Sequence, residues 1–381
     1  MSKPYKIGVV AGEASGDQLG AGLIKGLKLH YPDAIFEGLG GPKMLAEGFQ
    51  TLFPMDRLSV MGLVEPLKRL PELIHIRRTL FKHFSDNEFD LVVGIDSPDF
   101  NLGLEQKLRK KGIKTAHYVS PSVWAWRQGR VKKIARAVDL MLTLLPFEEA
   151  FYQKHKIPVV CVGHPLAEEL PLQTDTSAAR KQLGIITEGP VLTVMPGSRA
   201  SEVDKLGQLF LDTAQCCQKK VPELQLIIPA ASLERRIQLE EIINGYPSLS
   251  CTLLDGQSLT AMAAADVVLL SSGTSALEAM LLKKPMVVSY RLGKLTFALI
   301  SRMVKVSYVA LPNLLVDEPL VPELLEDKAT VENLSEAVLN FFQQPEQVAK
   351  LQERFTAIHK SLQHGGSETA AKALVQLIEA K

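Results

Sequence analysis

The chain has 381 residues, more than a single hydrophobic core usually supports, so two domains are expected. Its composition is that of a globular protein, and 43 basic side chains almost balance 42 acidic ones, which argues against a nucleic-acid partner. The sequence contains neither an apolar run of about 20 residues nor a signal-peptide pattern, so it predicts a cytoplasmic protein.

Short apolar runs alternate with amphipathic segments, a pattern typical of βα units around a parallel sheet. The strands predicted in the first half are residues 6–12, 34–40, 89–96, 114–120, 139–145 and 158–163. Those predicted in the second half are residues 190–197, 224–230, 249–255, 266–273 and 285–290. We therefore predict an α/β protein with two doubly wound, Rossmann-like domains facing a cleft, over residues 1–165 and 166–340, followed by helices over 341–381.

The first strand is followed by GEASGDQLG, residues 12–20. This is not a G-x-G-x-x-G turn, and Glu13 and Asp17 would repel a pyrophosphate. Ser15 is predicted to cap the next helix, with Gly12 allowing a tight turn. The segment is either an ordinary strand-to-helix turn or a wall that receives a hydroxylated group.

Residues 58–76 form a heavily apolar stretch that is broken by Pro66 and Pro71 and flanked by basic residues. Prolines argue against a long buried helix here. The stretch is either ordinary core or a surface for acyl chains and an anionic membrane. The candidate lipid-contacting residues are Val60, Met61, Val64, Leu67, Leu70 and Leu73.

The third predicted strand runs into VGIDSPDFN, residues 93–101, and ends on two aspartates. Asp96 and Asp99 are either turn residues or catalytic carboxylates at the carboxyl edge of the sheet. The next strand leads into a loop with Trp124 and Trp126, followed by basic residues up to Arg136. A solvated basic helix face accounts for those charges, but it does not account for the two tryptophans.

Two loops of the second half suit a nucleotide diphosphate. MPGSRASEV (195–203) offers Gly197, Ser198 and Arg199, that is, amide groups, a hydroxyl and a guanidinium at a helix start. SSGTSALEAM (271–280) repeats the pattern with three small residues and a carboxylate, namely Gly273, Thr274, Ser275 and Glu278. Each loop alone could be simple N-capping, but two of them in one domain favour nucleotide binding. Because the sequence has neither a P-loop nor a D-x-D motif, we predict no metal and no cofactor.

Together these segments resemble the lipid-A-disaccharide synthases, inverting glycosyltransferases of Gram-negative lipid A biosynthesis. The resemblance covers essentially the whole chain. It rests on VAGEASGD, VGIDSPDFN, HYVSPSVWAWRQGRVKKI, LPFE, PGSR, SSGTSALEAML and YVALPNLL.

The resemblance implies a GT-B fold in which the first domain takes the acceptor, the second takes the donor nucleotide, and the final helices pack back on the first domain. The reaction would join UDP-2,3-diacylglucosamine to 2,3-diacylglucosamine 1-phosphate (lipid X) through a β(1→6) bond and release UDP, without a metal. It would take place at the cytoplasmic face of the inner membrane, with the chain held peripherally on the phospholipid surface. A homodimer is a further implication.

Inverting transfer needs a base that takes the proton from the acceptor's 6-hydroxyl as that oxygen attacks the anomeric carbon. Asp96 is our candidate, and Asp99 is the alternative. Arg199 and the amides around Ser198 and Thr274 would stabilise the charge on the departing UDP. The other polar candidates would bind hydroxyl groups. Glu278 would bind those of the ribose. The sugar hydroxyls would be bound by Glu13, Ser15 and Asn313.

Two other functions compete with this one. The first is a different enzyme on the same scaffold, such as a UDP-N-acetylglucosamine epimerase or a transferase with a small soluble acceptor. The apolar stretch and the tryptophan loop argue against it, because a small polar acceptor needs neither. The second is a non-catalytic protein that binds sugar nucleotides or lipids, and Asp96 and Arg199, one in each half, argue against it.

Overall fold

The computed structural model describes residues 3–58, 69–126, 128–185, 188–292 and 306–380. By its contacts the chain groups into two compact units. The first unit contains the residues up to Glu168 together with those from Ser361 onward, and the second runs over Glu169–Lys360.

In the described residues, the first unit is built on a seven-stranded parallel sheet with the order β3-β2-β1-β4-β5-β6-β7. Its strands are β1 Lys6–Ala11, β2 Ile35–Leu39, β3 Gln50–Phe53, β4 Leu91–Ile95, β5 Lys114–Tyr118, β6 Leu140–Thr143 and β7 Val159–Cys161. Its helices are α1 Ala14–Lys28, α2 Pro42–Ala46, α3 Leu70–Asp86, α4 Pro98–Arg109, α5 Val131–Ala137, α6 Pro146–Lys154 and α7 Pro165–Glu169, the last of which ends at the unit boundary.

The second unit has a six-stranded sheet in its described residues, with the order β10-β9-β8-β11-β12-β13. Its strands are β8 Val191–Met195, β9 Gln225–Ala230, β10 Cys251–Asp255, β11 Val267–Ser271, β12 Met286–Tyr290 and β13 Glu323–Leu325. Its helices are α8 Thr176–Gln182, α9 Ala200–Lys220, α10 Leu233–Ile243, α11 Ser258–Ala264, α12 Thr274–Leu281, α13 Leu311–Val316, α14 Val331–Gln343 and α15 Pro345–Ser361.

The central strands are buried on both faces, as expected for a parallel sheet covered by helices on each side. Every residue of β4 is buried, and so is nearly all of β1. The last helix, α16 (Gly366–Glu379), packs against α1 in the first unit. Glycines make this approach close, since a Cβ at Gly26 would lie 2.9 Å from the Cβ of Ala371. Thus the final helix, rather than the whole of 341–381, packs with the first unit.

All eleven strands predicted from the sequence are present, each ending at or within two residues of its predicted end. The sequence missed β3 and β13, which are only four and three residues long. Helix α3 begins within the apolar stretch, because Pro71 stands in its first turn, where a missing N–H costs no hydrogen bond. None of the helices in the described ranges is long and apolar enough to cross a membrane.

Candidate active site

Asp96 lies directly after the central strand β4, at the carboxyl edge of the first sheet. It has φ +51°, and the next residue, Ser97, has φ +44°, so two consecutive non-glycine residues adopt the left-handed conformation. The backbone N–H of Asp96 donates to the carbonyl of Tyr118 at 2.8 Å. Such strained backbone persists where the surrounding structure holds it, and it is frequent at active sites.

A buried asparagine, Asn101, holds the backbone of this turn through its side-chain amide. The Nδ2 of Asn101 donates to the carbonyl of Asp96 at 2.8 Å, and it also lies 3.3 Å from the carbonyls of Ile95 and Val10. One side chain thereby joins the carboxyl ends of β1 and β4. Sequence reasoning missed Asn101, because its partner in β1 lies 91 positions away.

Beneath Asn101 lies a buried pair formed by Glu105 and His117, with Oε1 of Glu105 2.8 Å from Nδ1 of His117. Both side chains are almost fully enclosed. Burial raises the pKa of Glu105, while the charge and hydrogen bond of His117 act in the opposite direction. His117 is therefore a buried structural residue that packs behind the turn after β4, enclosed from solvent.

Asp99, the alternative base, lies in the first turn of α4. Its side chain is 87% exposed, and its Oδ1 accepts from Nη2 of Arg130 at 2.5 Å. A solvated, ion-paired carboxylate at a helix start is also explained by the helix dipole. The exposed, ion-paired Asp99 therefore has an explanation other than catalysis.

The turn after β1 lies beside the turn after β4. A Cβ at Gly12 would lie 3.0 Å from the Cβ of Leu58 and 3.1 Å from the Oγ of Ser97, so glycine permits the close approach. Glu13 is the N-cap residue of α1 and is exposed. Ser15 is also exposed, but it lies inside the first helical turn, so the prediction that Ser15 caps the helix is wrong.

Asp17 has a structural role that the sequence did not reveal. Its carboxylate accepts from the backbone N–H groups of Gly41, Lys43 and Met44 at 2.9, 2.9 and 3.0 Å. These groups open α2, so Asp17 caps a helix that is distant in the sequence. It does not act as a repulsive charge in the loop after β1.

A mostly apolar cavity of about 370 Å³ lies at this edge of the first unit. It is lined by Glu13, Leu58, Leu70, Leu73, Ile74, Arg77, Ser97, Pro98, Asp99 and Phe100. Two of the predicted lipid-contacting residues, Leu70 and Leu73, thus lie beside two of the predicted catalytic residues. The other four, Val60, Met61, Val64 and Leu67, lie outside the described residues.

The tryptophan loop that follows β5 is anchored by a second buried carboxylate. Val119 has φ +78°, unusual for a β-branched residue. The Nε1 of Trp124 donates to Glu148 at 3.0 Å, and the backbone N–H of Leu145 donates to the same carboxylate at 3.1 Å. Burial raises the pKa of Glu148 to about 7. Trp126 remains 41% exposed.

In the second unit, the predicted donor residues meet in one cavity of about 390 Å³ at the carboxyl ends of β8 and β11. All seven of them line it, namely Gly197, Ser198, Arg199, Gly273, Thr274, Ser275 and Glu278. The two loops that the sequence singled out thus line the same cavity.

The starts of α9 and α12 in this cavity differ. At α9, the Oε2 of Glu202 accepts from the backbone N–H groups of Ser198 and Arg199 at 3.0 and 3.2 Å. At α12, the N-cap residue is Gly273, and no side chain caps the helix. Glu278, one turn further along α12, is half-buried, and burial raises its pKa. Glu202 was missed, because the residue three positions before it is Arg199, which cannot accept a hydrogen bond as the Ser or Thr of a capping box does.

Asn313 is buried, with 1% of its surface exposed. Its Oδ1 accepts from the N–H of Val321, and its Nδ2 donates to the carbonyl of Val321 and to Glu323, at 2.8 to 2.9 Å. Glu323 in turn accepts from the N–H groups of Val309 and Ala310. These contacts hold the segment 309–323, which includes α13, and they satisfy the amide that was predicted to contact a sugar hydroxyl.

Across the described ranges, no group of three or more His, Cys, Asp or Glu side chains is arranged to hold a metal ion. The described residues thus place an aspartate at a strand end and an apolar cavity in the first unit, and an arginine with helix starts in the second.

Comparison with known proteins gives consistent findings. The family model described as lipid-A-disaccharide synthetase matches residues 7–377. The lipid-A-disaccharide synthase of Cellvibrio japonicus is 52% identical over 379 residues, which cover 100% of this chain and 99% of that protein.

Solved structures resemble the chain at much lower identity. UDP-GlcNAc 2-epimerase from Neisseria meningitidis, solved with UDP-GlcNAc bound, has a TM-score of 0.62 at 14% identity and covers 98% of this chain and 99% of its own. Acinetobacter baumannii MurG has a TM-score of 0.57 at 14% identity, with 99% of each chain covered. Likeness at this level concerns the fold alone, and the fold is GT-B, as the sequence predicted.

Proposed function

The chain belongs to the lipid-A-disaccharide synthase family and is a glycosyltransferase of lipid A biosynthesis, and from this premise we propose its substrates and the roles of its residues. The donor is UDP-2,3-diacylglucosamine, and the acceptor is 2,3-diacylglucosamine 1-phosphate. The 6-hydroxyl of the acceptor attacks the anomeric carbon of the donor. A β(1→6) bond forms, the bond from the anomeric carbon to the diphosphate oxygen breaks, and UDP leaves.

Asp96 is the base that takes the hydroxyl proton. The observation that carries this assignment is the backbone: two left-handed residues follow β4, and Asn101 contacts the carbonyl of Asp96 and those of Ile95 and Val10, which fixes the main chain of Asp96 at the edge of the sheet. A turn without a chemical role would adopt this conformation with glycine at less cost. Glu13 and Ser15, exposed on the neighbouring turn, orient the acceptor's polar groups.

The cavity beside Glu13 receives acyl carbons. Leu70, Leu73 and Phe100 give it apolar walls, and Arg77 adds a cation that suits the acceptor's 1-phosphate. We further propose that the chain contacts the phospholipid surface of the inner membrane through residues 60–74. The homodimer implied by the family resemblance also stays a proposal.

The second unit binds UDP. Arg199 and the start of α12 stabilise the diphosphate, whose charge grows as the glycosidic bond breaks, and Glu278 accepts hydrogen bonds from the ribose. A protein of the same fold was solved with UDP-GlcNAc bound, which supports a UDP-sugar as donor. Asn313 positions the segment 309–323.

The decisive experiment is an assay with the purified protein, both diacylated substrates and detergent, with the products identified by mass spectrometry. A disaccharide 1-phosphate that appears together with UDP would establish both substrates. UDP binding without disaccharide would contradict the proposed acceptor. A screen of unacylated acceptors would then show whether the apolar cavity is simply core.

A further inference from the structure

The carboxylate of Glu202 accepts hydrogen bonds from backbone N–H groups that were assigned from the sequence to the donor's diphosphate. A single oxygen, Oε2, accepts from the N–H groups of both Ser198 and Arg199, at 3.0 and 3.2 Å. The other oxygen lies 3.5 Å from Nη1 of Arg199. Glu202 therefore contacts both the backbone and the side chain of the residue with the positive charge.

The packing leaves little room for another arrangement. The Glu202 side chain is only 12% exposed, whereas that of Arg199 is 78% exposed. Gly197 has φ +141°, and a Cβ there would lie 2.4 Å from the Cβ of Glu202. The glycine of the P-G-S-R turn thus makes space for the glutamate stem as well as for the turn.

Charge gives this placement a consequence for the ligand. Glu202 lines the same cavity as Thr274 and Glu278, so a diphosphate bound there lies near a fixed negative charge. Like charges repel more strongly as the ligand's charge rises. Free UDP carries one more negative charge than a UDP-sugar, because its terminal phosphate is not esterified.

We propose that Glu202 is a positioning residue of the donor site. Its carboxylate binds the backbone N–H groups of the 197–199 turn, so that Arg199 contacts the diphosphate through its guanidinium alone. The same carboxylate disfavours free UDP relative to the UDP-sugar and so favours product release. The inference rests on the proposed function, since it presumes a UDP-sugar in this cavity.

Two substitutions separate the hydrogen bonds of Glu202 from its charge. Glu202→Gln keeps one oxygen for both amide groups and removes the charge. Glu202→Ala removes both. We expect Glu202→Ala to weaken UDP binding about tenfold, because the turn that carries Arg199 is no longer held. We expect Glu202→Gln to bind UDP severalfold more tightly than the wild type, with a smaller change for the UDP-sugar. Calorimetry with UDP and KM for the UDP-sugar measure these effects.

Thr330→Ala is the matched control. Thr330 caps α14 in the same unit through the N–H of Asn333, and it does not line the cavity. It should lower thermal stability without changing UDP affinity. If Glu202→Ala behaves like Thr330→Ala, Glu202 is merely a helix cap and the proposal is overturned.

Tighter UDP binding by Glu202→Ala than by Glu202→Gln would also overturn it, because the glutamate would then be a plug that the diphosphate displaces. Absence of UDP binding by the wild type would instead contradict the proposed function itself.

Discussion

The two sheets present their loops by different means. In the first unit, non-glycine residues turn the chain at the edge, with left-handed backbone at Asp96, Ser97 and Val119. At the two donor loops of the second unit, Gly197 turns the chain and Gly273 stands at the helix start, although Gln257 and Glu326 after other strands of that sheet are left-handed too. A proton acceptor needs a side chain at the turn itself, whereas an anion site needs N–H groups without a Cβ in the way. At these loops, the residue that makes the turn therefore suits the chemistry proposed for it.

The backbone strain at the carboxyl edge of the first sheet is offset by nearby hydrogen bonds. A left-handed non-glycine residue costs roughly 1–2 kcal/mol, though Asp and Asn tolerate this conformation best. The three carbonyl contacts of Asn101 and the bond from Asp96 to Tyr118 act against that cost.

The largest expected effect is that of Asp96→Asn. Asparagine tolerates the same backbone, so the substitution removes the base and keeps the turn. Turnover should fall by about 10²- to 10⁴-fold while UDP affinity is unchanged, as measured by product formation and calorimetry. Asp99→Asn breaks the exposed pair with Arg130 and should cost less. An equal or larger loss in Asp99→Asn would transfer the role of base to Asp99.

Arg199→Ala should lower UDP affinity, the quantity that Asp96→Asn leaves unchanged. Removing the exposed guanidinium deletes a charge-assisted contact to the diphosphate, so UDP binding should weaken about 10- to 100-fold. Lysine at 199 should recover part of the affinity, because it restores the charge without the two-pronged geometry. If UDP affinity stays within twofold of the wild type, the donor does not use this loop.

A smaller effect is expected for Leu70→Ser. Leu70 is 48% exposed at the start of α3, so the change should leave folding intact and reduce co-sedimentation with anionic phospholipid vesicles a few-fold. Leu29→Ser, on a leucine of the same unit that is 77% exposed, is the control and should leave vesicle binding unchanged. If the wild type, Leu70→Ser and Leu29→Ser bind vesicles equally, Leu70 does not contact the membrane.

The smallest effect is spectroscopic. The chain has two tryptophans, so Trp126→Phe leaves the fluorescence of Trp124, which donates to Glu148. We expect its emission to change by a few per cent with a midpoint near pH 7, the raised pKa of Glu148, and to lose that transition when Glu148→Gln is added. A transition that survives Glu148→Gln would belong to another group.

The same group predicts a trend in stability. Burial raises the Glu148 pKa from 4.5 to about 7, so the folded chain binds this proton more tightly than the unfolded chain does. The contribution of Glu148 to stability therefore declines as pH rises from 4.5 to 7 and is constant above that window.

Local patterns in the sequence were sufficient for the strands and for placing both candidate donor loops at strand ends. Apolar runs mark buried strands, and parallel strands bring their carboxyl ends to one edge. The roles of Asp17 and Asn101 were not accessible in this way, because each depends on a partner brought close only by the fold. The contacts of Asn313 were hidden for another reason: an asparagine in an apolar segment gives no sign that its amide is already satisfied.

The docking of α16 on α1 also bears on how the chain is made. The first unit is closed by residues that a ribosome adds only after the whole of the second unit. Until then, Leu23 and Leu27 of α1 lack the Ala370 and Leu374 partners with which they share a core. The first unit, although its synthesis begins first, therefore cannot complete this core until the second unit has been synthesised. The second unit can complete its fold on the nascent chain, while the amino-terminal sheet waits for the last helix.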